Sequence, residues 1–263
     1  MHEALQKSGE AGQPVPAQGG PKVIARPFAT EVASLRDLTY DIKEVRLRLI
    51  EPARMDFIAG QFIRFEAPAY EKSPAPVSRC YSLAAPPSVA DEIQLHVRYV
   101  PNGICTTYVH QYLKVGDKVT VRGPYGRFRL HEGEGDVICI AGGSGMAPIR
   151  SLLLDMRDKG IRRRVRYFFG AKARRDLYMT DEMSWLESVL PDFRFIPALS
   201  EPQPGDDWHG ETGLITEVVD RLSSAHPASQ AYLCGSPLMI DACVKVLRGK
   251  GMGDERIFFD KFV

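Results

Sequence analysis

The sequence predicts a two-domain fold, an antiparallel six-stranded β-barrel followed by an α/β unit with a five-stranded parallel sheet. Three observations predict it. The chain has 263 residues, well past the roughly 150 of an average domain. Its first half is a series of short, partly alternating segments bounded by Gly and Pro, and its second half alternates apolar strands with amphipathic helices.

The barrel comes from six segments: VIARPFATEVASL, DIKEVRLRLI, GQFIRFEAP, SRCYSLAAP, EIQLHVRYV and DKVTVRGP. Each combines β-branched or aromatic residues with partial alternation, as strands with one buried face do. Between the last two, GICTTYVHQYLKVGD places Tyr108, Tyr112 and Leu113 on one face of a short helix ended by Gly116, which would plug one end of the barrel. After HEGEGD, a linker, the strands VICIA, VRYFFGA, FRFIPAL, AYLCG and RIFFD alternate with the helices MAPIRSLLLDMRDKG, DEMSWLESVL, TGLITEVVDRLS and SPLMIDACVKVLRGKG. That order predicts right-handed βαβ units. Residues 7–22 are rich in Gly, Pro and Gln, so 1–22 is expected to be a flexible tail, with the domains at 23–132 and 133–263.

Composition narrows the function. With 44% hydrophobic and 25% charged residues the chain is globular, and 34 basic against 33 acidic residues give a net charge of +1, with no overall field for nucleic acid or an anionic membrane. No apolar run approaches the ~20 residues of a membrane span, and MHEALQKSGE lacks the apolar stretch of a secretory signal, so a cytoplasmic location is expected. Cys80, Cys105, Cys139, Cys234 and Cys243 are odd in number and scattered, which suggests reduced thiols. None of them forms a C-x2-C or C-x4-C-x2-C cluster, so no metal site is expected on this chain. Four of them, all but Cys234, are expected to be plain buried thiols.

Four segments carry chemistry. Arg79-Cys80-Tyr81-Ser82 offers what a flavin needs: a cation for the pyrophosphate, a flat aromatic for the isoalloxazine and a small hydroxyl near the ring nitrogen that takes hydride. Strand alternation sends Arg79 and Tyr81 to one face, although an edge strand with a solvated Arg and a packed Tyr reads the same way. Gly103-Ile104-Cys105-Thr106-Thr107 opens the short helix, where backbone amides, a glycine and a hydroxyl suit either a pyrophosphate or an ordinary cap. Gly142, Gly143, Gly145, Met146, Ala147 and Pro148 lie in a turn between VICIA and its helix, where glycines let a dinucleotide approach the backbone, or merely connect strand to helix. Cys234-Gly235-Ser236-Pro237 ends the fourth parallel strand, at the edge where open α/β sheets bind ligands, and a thiol there sits beside a nicotinamide or is simply buried.

In this order the four segments resemble the ferredoxin–NADP reductase superfamily, whose members share R-x-Y-S, G-x-x-S/T, G-G-x-G-x-A-P and C-G-x-P. The resemblance runs from about Val23 to the end. GPYGRF, DDWHGETG and FFDKFV look closest to the flavin portion of the sodium-pumping NADH:quinone reductase and of multicomponent-oxygenase reductases, relatives that usually carry a fused [2Fe–2S] domain for which this chain has no cysteines. The resemblance implies that Arg79 and Thr106 contact the flavin pyrophosphate, that Tyr81 and Ser82 meet the isoalloxazine, that Gly103 starts the helix, and that Val97, Arg98 and Tyr99 line the flavin. Ser82, Cys234 and Phe262 are the implied catalytic positions. Phe262 would cover the flavin face that nicotinamide approaches, a role compatible with packing in the interdomain seam, and Asp260 is as well explained as a surface acid.

The implied activity is that of an NADH-dependent oxidoreductase with FAD, passing single electrons to a separate iron–sulfur protein or redox subunit. A flavin reductase that releases reduced flavin, and a non-catalytic subunit of a larger redox complex, are the alternatives. The loop Gly170–Asp176 offers Arg174 and Arg175 for a 2′-phosphate and an acid for ribose hydroxyls. The resemblance favours NAD and leaves NADP open.

Overall fold

A computed structural model describes residues 24–262. The expected tail, residues 1–22, lies outside that range. The first sheet contains β1 (Arg26–Asp37), β2 (Ile42–Glu51), β3 (Phe62–Ala67), β4 (Val77–Ser82), β5 (Glu92–Arg98) and β6 (Lys118–Tyr125) in the antiparallel order β4-β3-β6-β1-β2-β5. A bridge between Leu83 and Leu95 brings the two edges together and closes the barrel. Alternation is cleanest in β3, where Ile63, Phe65 and Ala67 are buried and Arg64 and Glu66 are exposed. By contrast β5 is buried from Ile93 through Val97, because its outer face is covered by the second half of the chain.

The expected plug is present in modified form. α1 (Ile104–Thr107) runs directly into a wide turn, Tyr108–Tyr112, closed by a bond from the Leu113 amide to the Tyr108 carbonyl at 3.0 Å. Cys105, Tyr108, Val109 and Leu113 enter the barrel core beside Phe65, Leu95 and Val97, so the segment seals that end by apolar burial. Leu113 is already extended, so the helical geometry stops before Gly116.

The second sheet is parallel: β7 (Val137–Gly142), β8 (Val165–Ala171), β9 (Phe193–Leu199), β10 (Glu211–Thr212), β11 (Gln230–Gly235) and β12 (Ile257–Lys261), ordered β10-β9-β8-β7-β11-β12. Five strands were expected and the sixth is β10, a two-residue edge pairing of Glu211 with Ala198 and Thr212 with Leu199. Two residues are too few to show a period of two. α2 (Met146–Asp158) and α3 (Thr180–Val189) cover one face through Ile149, Leu153, Met183 and Leu186. α4 (Ile215–Leu222) and α5 (Pro237–Gly249) cover the other through Val218, Ile240, Cys243 and Leu247. All five cysteines are free, and four are buried, but Cys80 is exposed. The expectation for Cys80 is corrected by pleating: β4 is an edge strand, and its alternation turns the thiol away from the core-facing side that Tyr81 takes.

The halves are joined at α2. Arg150 is 7% exposed. Its guanidinium donates to the Ala84 carbonyl at 2.7 Å and to Gln94 Oε1 at 3.1 Å in the barrel, and pairs with both Glu182 oxygens at 2.6 and 2.8 Å. Ser151 Oγ donates to the Ala85 carbonyl at 2.7 Å and Ser88 Oγ to Asp158 at 2.6 Å. A buried guanidinium needs such complete pairing to be tolerated at all.

Candidate active site

The strand order reverses between β7 and β11. In open α/β sheets the crevice outside the carboxyl ends at that point is where ligands bind, and here it is a cleft of about 230 Å³. Gly142 ends β7 and Gly143 follows it, Gly170 and Ala171 end β8 and Lys172 follows it, Ser200 follows β9, and Ser236 follows β11. The barrel contributes the opposite wall, Asp41, Ile42 and Arg98. Arg98 Nε donates to Asp41 Oδ2 at 2.7 Å, which ties the end of β5 to the β1–β2 turn. The cleft therefore lies between the halves.

Gly143 on its floor and Gly145 beneath it have distinct reasons. Gly143 has φ of +55°, a conformation that glycine adopts without penalty. A side chain on Gly145 would place Cβ 2.2 Å from the Cys234 carbonyl oxygen, so this glycine lets the turn pack against β11. Met146 and Ala147 are buried behind it and Pro148 lies in the first turn of α2. Of the expected dinucleotide positions, then, Gly142 and Gly143 line the cleft while Gly145, Met146 and Ala147 support it from beneath.

Cys234 is fully buried, and burial pushes its thiol well above the usual range. It is part of the wall behind Gly145, not of the cleft surface. Gly235 reaches Gly142 across the sheet: a Cβ on it would lie 3.5 Å from the Gly142 amide nitrogen. Ser236 caps α5, accepting from the Met239 amide at 3.4 Å, with Pro237 at the first position. The Phe262 amide donates to the Gly235 carbonyl at 2.9 Å, which moors the end of β12 beside this floor, and its side chain joins the apolar cluster that also holds Ile42, Ala59 and Phe128. Neighbouring Asp260 is raised by burial.

On β4, Arg79 is exposed and makes one bond, to the Ser78 carbonyl at 2.8 Å. Its charge has no acidic partner among the described residues. The Tyr81 ring stands edge-on to Phe65 at 6.2 Å, and its hydroxyl is buried with no hydrogen-bond partner, so burial pushes its pKa up. Ser82 is buried opposite Phe62. An exposed cation with no acidic partner on an edge strand fits a ligand with an anionic part, whereas the Tyr81 hydroxyl is turned inward beside the Cys105 thiol. Across the barrel mouth, Val97 is buried with its carbonyl 2.9 Å from His110 Nε2, and Tyr99 packs against the His110 ring at 5.4 Å. Thr106 is committed locally: its hydroxyl lies 3.2 Å from the Val100 and Gly103 carbonyls and from the Val100 amide. The first helix amide to find a carbonyl is that of Thr107, bonded to Gly103, leaving earlier amides of the turn unpaired.

The loop after β8 separates the residues that the sequence grouped. Arg174 Nη1 donates to the Asp206 carbonyl at 2.6 Å, and Arg175 stacks over the Tyr40 ring at 5.1 Å. Lys172 and Asp176 line the cleft instead, with Asp176 Oδ2 accepting from the Ala173 amide at 2.8 Å.

Several residues of the site carry no local sequence signal. Tyr178 and His96, buried at 4% and 3% exposure, meet across the seam with ring centroids 5.5 Å apart. Tyr178 Oη donates to the Gly143 carbonyl at 3.0 Å. Burial, reinforced by Arg150, Arg36 and Arg46, lowers His96 to about 3. Arg150 read only as a charged position of α2. A lone histidine and tyrosine 82 positions apart have no spacing that sequence reasoning could use.

Comparison with known proteins decides the family. Residues 29–130 match the oxidoreductase FAD-binding domain family and residues 139–245 the oxidoreductase NAD-binding domain family. The chain is 37% identical over 237 residues to the reductase component of propane 2-monooxygenase from Mycolicibacterium goodii, covering 89% of this chain and 67% of that one. This chain belongs to the FAD- and NAD-binding oxidoreductases. It is 33% identical to a component of the Na(+)-translocating NADH-quinone reductase of Serratia proteamaculans, over 88% of this chain and 67% of that one. Among solved structures, the cytochrome P450 reductase GcoB of Amycolatopsis superposes with a TM-score of 0.83 at 30% identity, covering 93% of this chain and 72% of that one. The family expected from the four motifs is thereby established. The chain spans about two thirds of the length of the curated relatives it matches.

Proposed function

We propose that this oxidoreductase takes hydride from NADH in the cleft between its halves and delivers electrons singly to a separate acceptor. In this reading residues 23–132 bind FAD and residues 133–263 bind NAD. The observation that carries it is the cleft itself: a glycine floor at the strand-order reversal, walled on the far side by Asp41 and Arg98 from the barrel. A dinucleotide bound there lies against both halves at once.

Bound FAD supplies a group that accepts two electrons as hydride and gives them up one at a time. The chain's own residues bind and align. Arg79 neutralises phosphate, Tyr81 offers an aromatic plane, and Ser82 offers a small hydroxyl at the end of β4. The free amides that open α1 add donors for a pyrophosphate, with Gly103 admitting close approach and Thr106 holding the turn to β5. Val97, Arg98 and Tyr99 form the neighbouring strand end. Gly142 and Gly143 let nicotinamide dinucleotide lie on the backbone, Gly235 and Pro237 shape the opposite lip, and Cys234 fills the wall behind. Phe262, moored at Gly235, covers the flavin face until nicotinamide displaces it. With Arg174 and Arg175 engaged elsewhere, Asp176 favours the ribose hydroxyls of NADH over a 2′-phosphate.

The relatives' names, reductase components of propane, phenol and xylene/toluene monooxygenases, support an oxygenase or iron–sulfur partner as acceptor. No helix among the described residues is long and apolar enough to cross a membrane, and a cytoplasmic location is part of this reading. The test is to reduce purified protein with NADH without oxygen, pass it through a desalting column and add ferricyanide, a one-electron acceptor. Flavin retained on the protein and rapid ferricyanide reduction are expected. Reduced flavin eluting free of protein would instead make the chain a flavin reductase.

A further inference from the structure

We infer that Tyr178 is a positioning residue for the dinucleotide: its hydroxyl locks the Gly143 peptide, and through it the glycine floor of the cleft. The inference rests on the reading that Gly142–Gly143 receives the dinucleotide. Gly143 occupies the left-handed region, at φ of +55°, and without a side chain its flanking peptides rotate at little cost. A loop meant to present backbone groups to a phosphate needs those peptides held one way. The Met146 amide already donates to the Gly143 carbonyl within the turn, and Tyr178 Oη adds a second, side-chain hold by donating to the same oxygen at 3.0 Å. Because the peptide unit is planar, fixing that carbonyl also fixes the direction of the Ser144 N–H.

The lock is itself over-determined. Tyr178 lies on the segment between the loop after β8 and α3, next to Met179 at φ of +57°. Its ring stands edge-on to Phe169 at 5.9 Å and to His96 at 5.5 Å. His96 Nδ1 is 3.5 Å from the Tyr178 oxygen, while its Nε2 is buried with no partner. That imidazole belongs to β5, two residues before Arg98, so the strand that forms the barrel wall of the cleft also holds the tyrosine that fixes its floor. A buried hydroxyl with one strong acceptor, its ring braced by an imidazole from the other half of the chain, serves orientation better than bulk packing, for which phenylalanine suffices.

Tyr178→Phe removes the donor and keeps the ring contacts. NAD+ affinity of the FAD-loaded protein, measured by titration calorimetry, is expected to fall roughly five- to tenfold, the effect of one lost buried hydrogen bond. KM for NADH should rise in step while kcat changes less than twofold, as for loss of uniform binding. Circular dichroism and flavin content should match the parent. Gly142→Val serves as the control, because Gly142 is extended (φ −151°, ψ 147°), as valine prefers, and its Cβ would meet Met239 Sδ at 3.2 Å and the Gly170 carbonyl at 3.3 Å on the cleft wall. Unchanged affinity in Tyr178→Phe with weakened binding in Gly142→Val overturns the lock alone. Unchanged affinity in both variants overturns the cleft reading and the lock with it.

Discussion

Where α2 meets the segment after β4, the two halves are joined by Arg150 and Ser151 donating to the Ala84 and Ala85 carbonyls. Just before α2, at Gly142 and Gly143, the same halves face each other across an open cleft with a glycine floor. The first region is buried and fully paired around the guanidinium's contacts with Gln94 and Glu182. The second keeps backbone and a few polar side chains exposed to whatever enters. The difference teaches how such a molecule holds a gap open. A site for a flat, extended ligand needs two walls at constant separation, and charged side chains bonded to backbone carbonyls set that separation more strictly than apolar contact, which tolerates sliding.

The sharpest way to break that contrast is Arg150→Ala. Removing the guanidinium leaves the Ala84 carbonyl and Gln94 Oε1 without this donor and a half-buried Glu182 without its cation, a loss of about 1–3 kcal/mol, the usual cost of buried groups left unpaired. Urea unfolding should show a lower midpoint or two separate transitions as the halves uncouple. A parent-like midpoint would mean that apolar packing alone holds the seam. Arg79→Ala is expected to act on the ligand instead: flavin content after gel filtration should fall about tenfold, as for one charge-assisted contact, with an unchanged circular dichroism spectrum. Full flavin occupancy would place the phosphate elsewhere.

The buried seam also sets a pH dependence. His96 titrates at about 3 in the folded protein and near 6.5 when unfolded. The unfolded chain therefore binds the extra proton across that window, and stability is lost as pH falls from about 6.5 toward 3, by up to ~1.4 kcal/mol per unit. His110 and His131, both lowered by burial, add to the same limb. His96→Gln should flatten the acid limb of a midpoint-versus-pH curve, and an equally steep limb would assign it to other groups.

Much of the fold was legible in the sequence because strands such as β3 write their buried face every second residue, and the βα units write theirs as apolar runs followed by helical spacing. The open region was legible for a related reason. Gly142, Gly143, Gly235 and Pro237 answer to backbone geometry at strand ends, which is local. The closed region was not legible. Arg150 pairs with Glu182 and with a carbonyl 66 positions away, and His96 meets Tyr178 only after both halves have folded. β10 was too short to have a pattern. The loop Gly170–Asp176 was found, yet which of its charges face the cleft depends on Asp206 and Tyr40, both distant in the chain. The smallest expected effect follows from that: replacing both Arg174 and Arg175 by Ala should leave NADH preferred over NADPH, with the ratio of kcat/KM values changed by less than about threefold. An NADPH preference in the parent that disappears in the double variant would show a 2′-phosphate site.

The central claim, that the cleft delivers hydride from NADH to flavin held by the barrel, is tested most directly by the visible absorption of the purified, FAD-loaded protein during anaerobic titration with NADH. The expected result is loss of the flavin band with one equivalent of NADH per flavin and its return on adding a one-electron acceptor. A flavin band that persists through excess NADH would contradict the account.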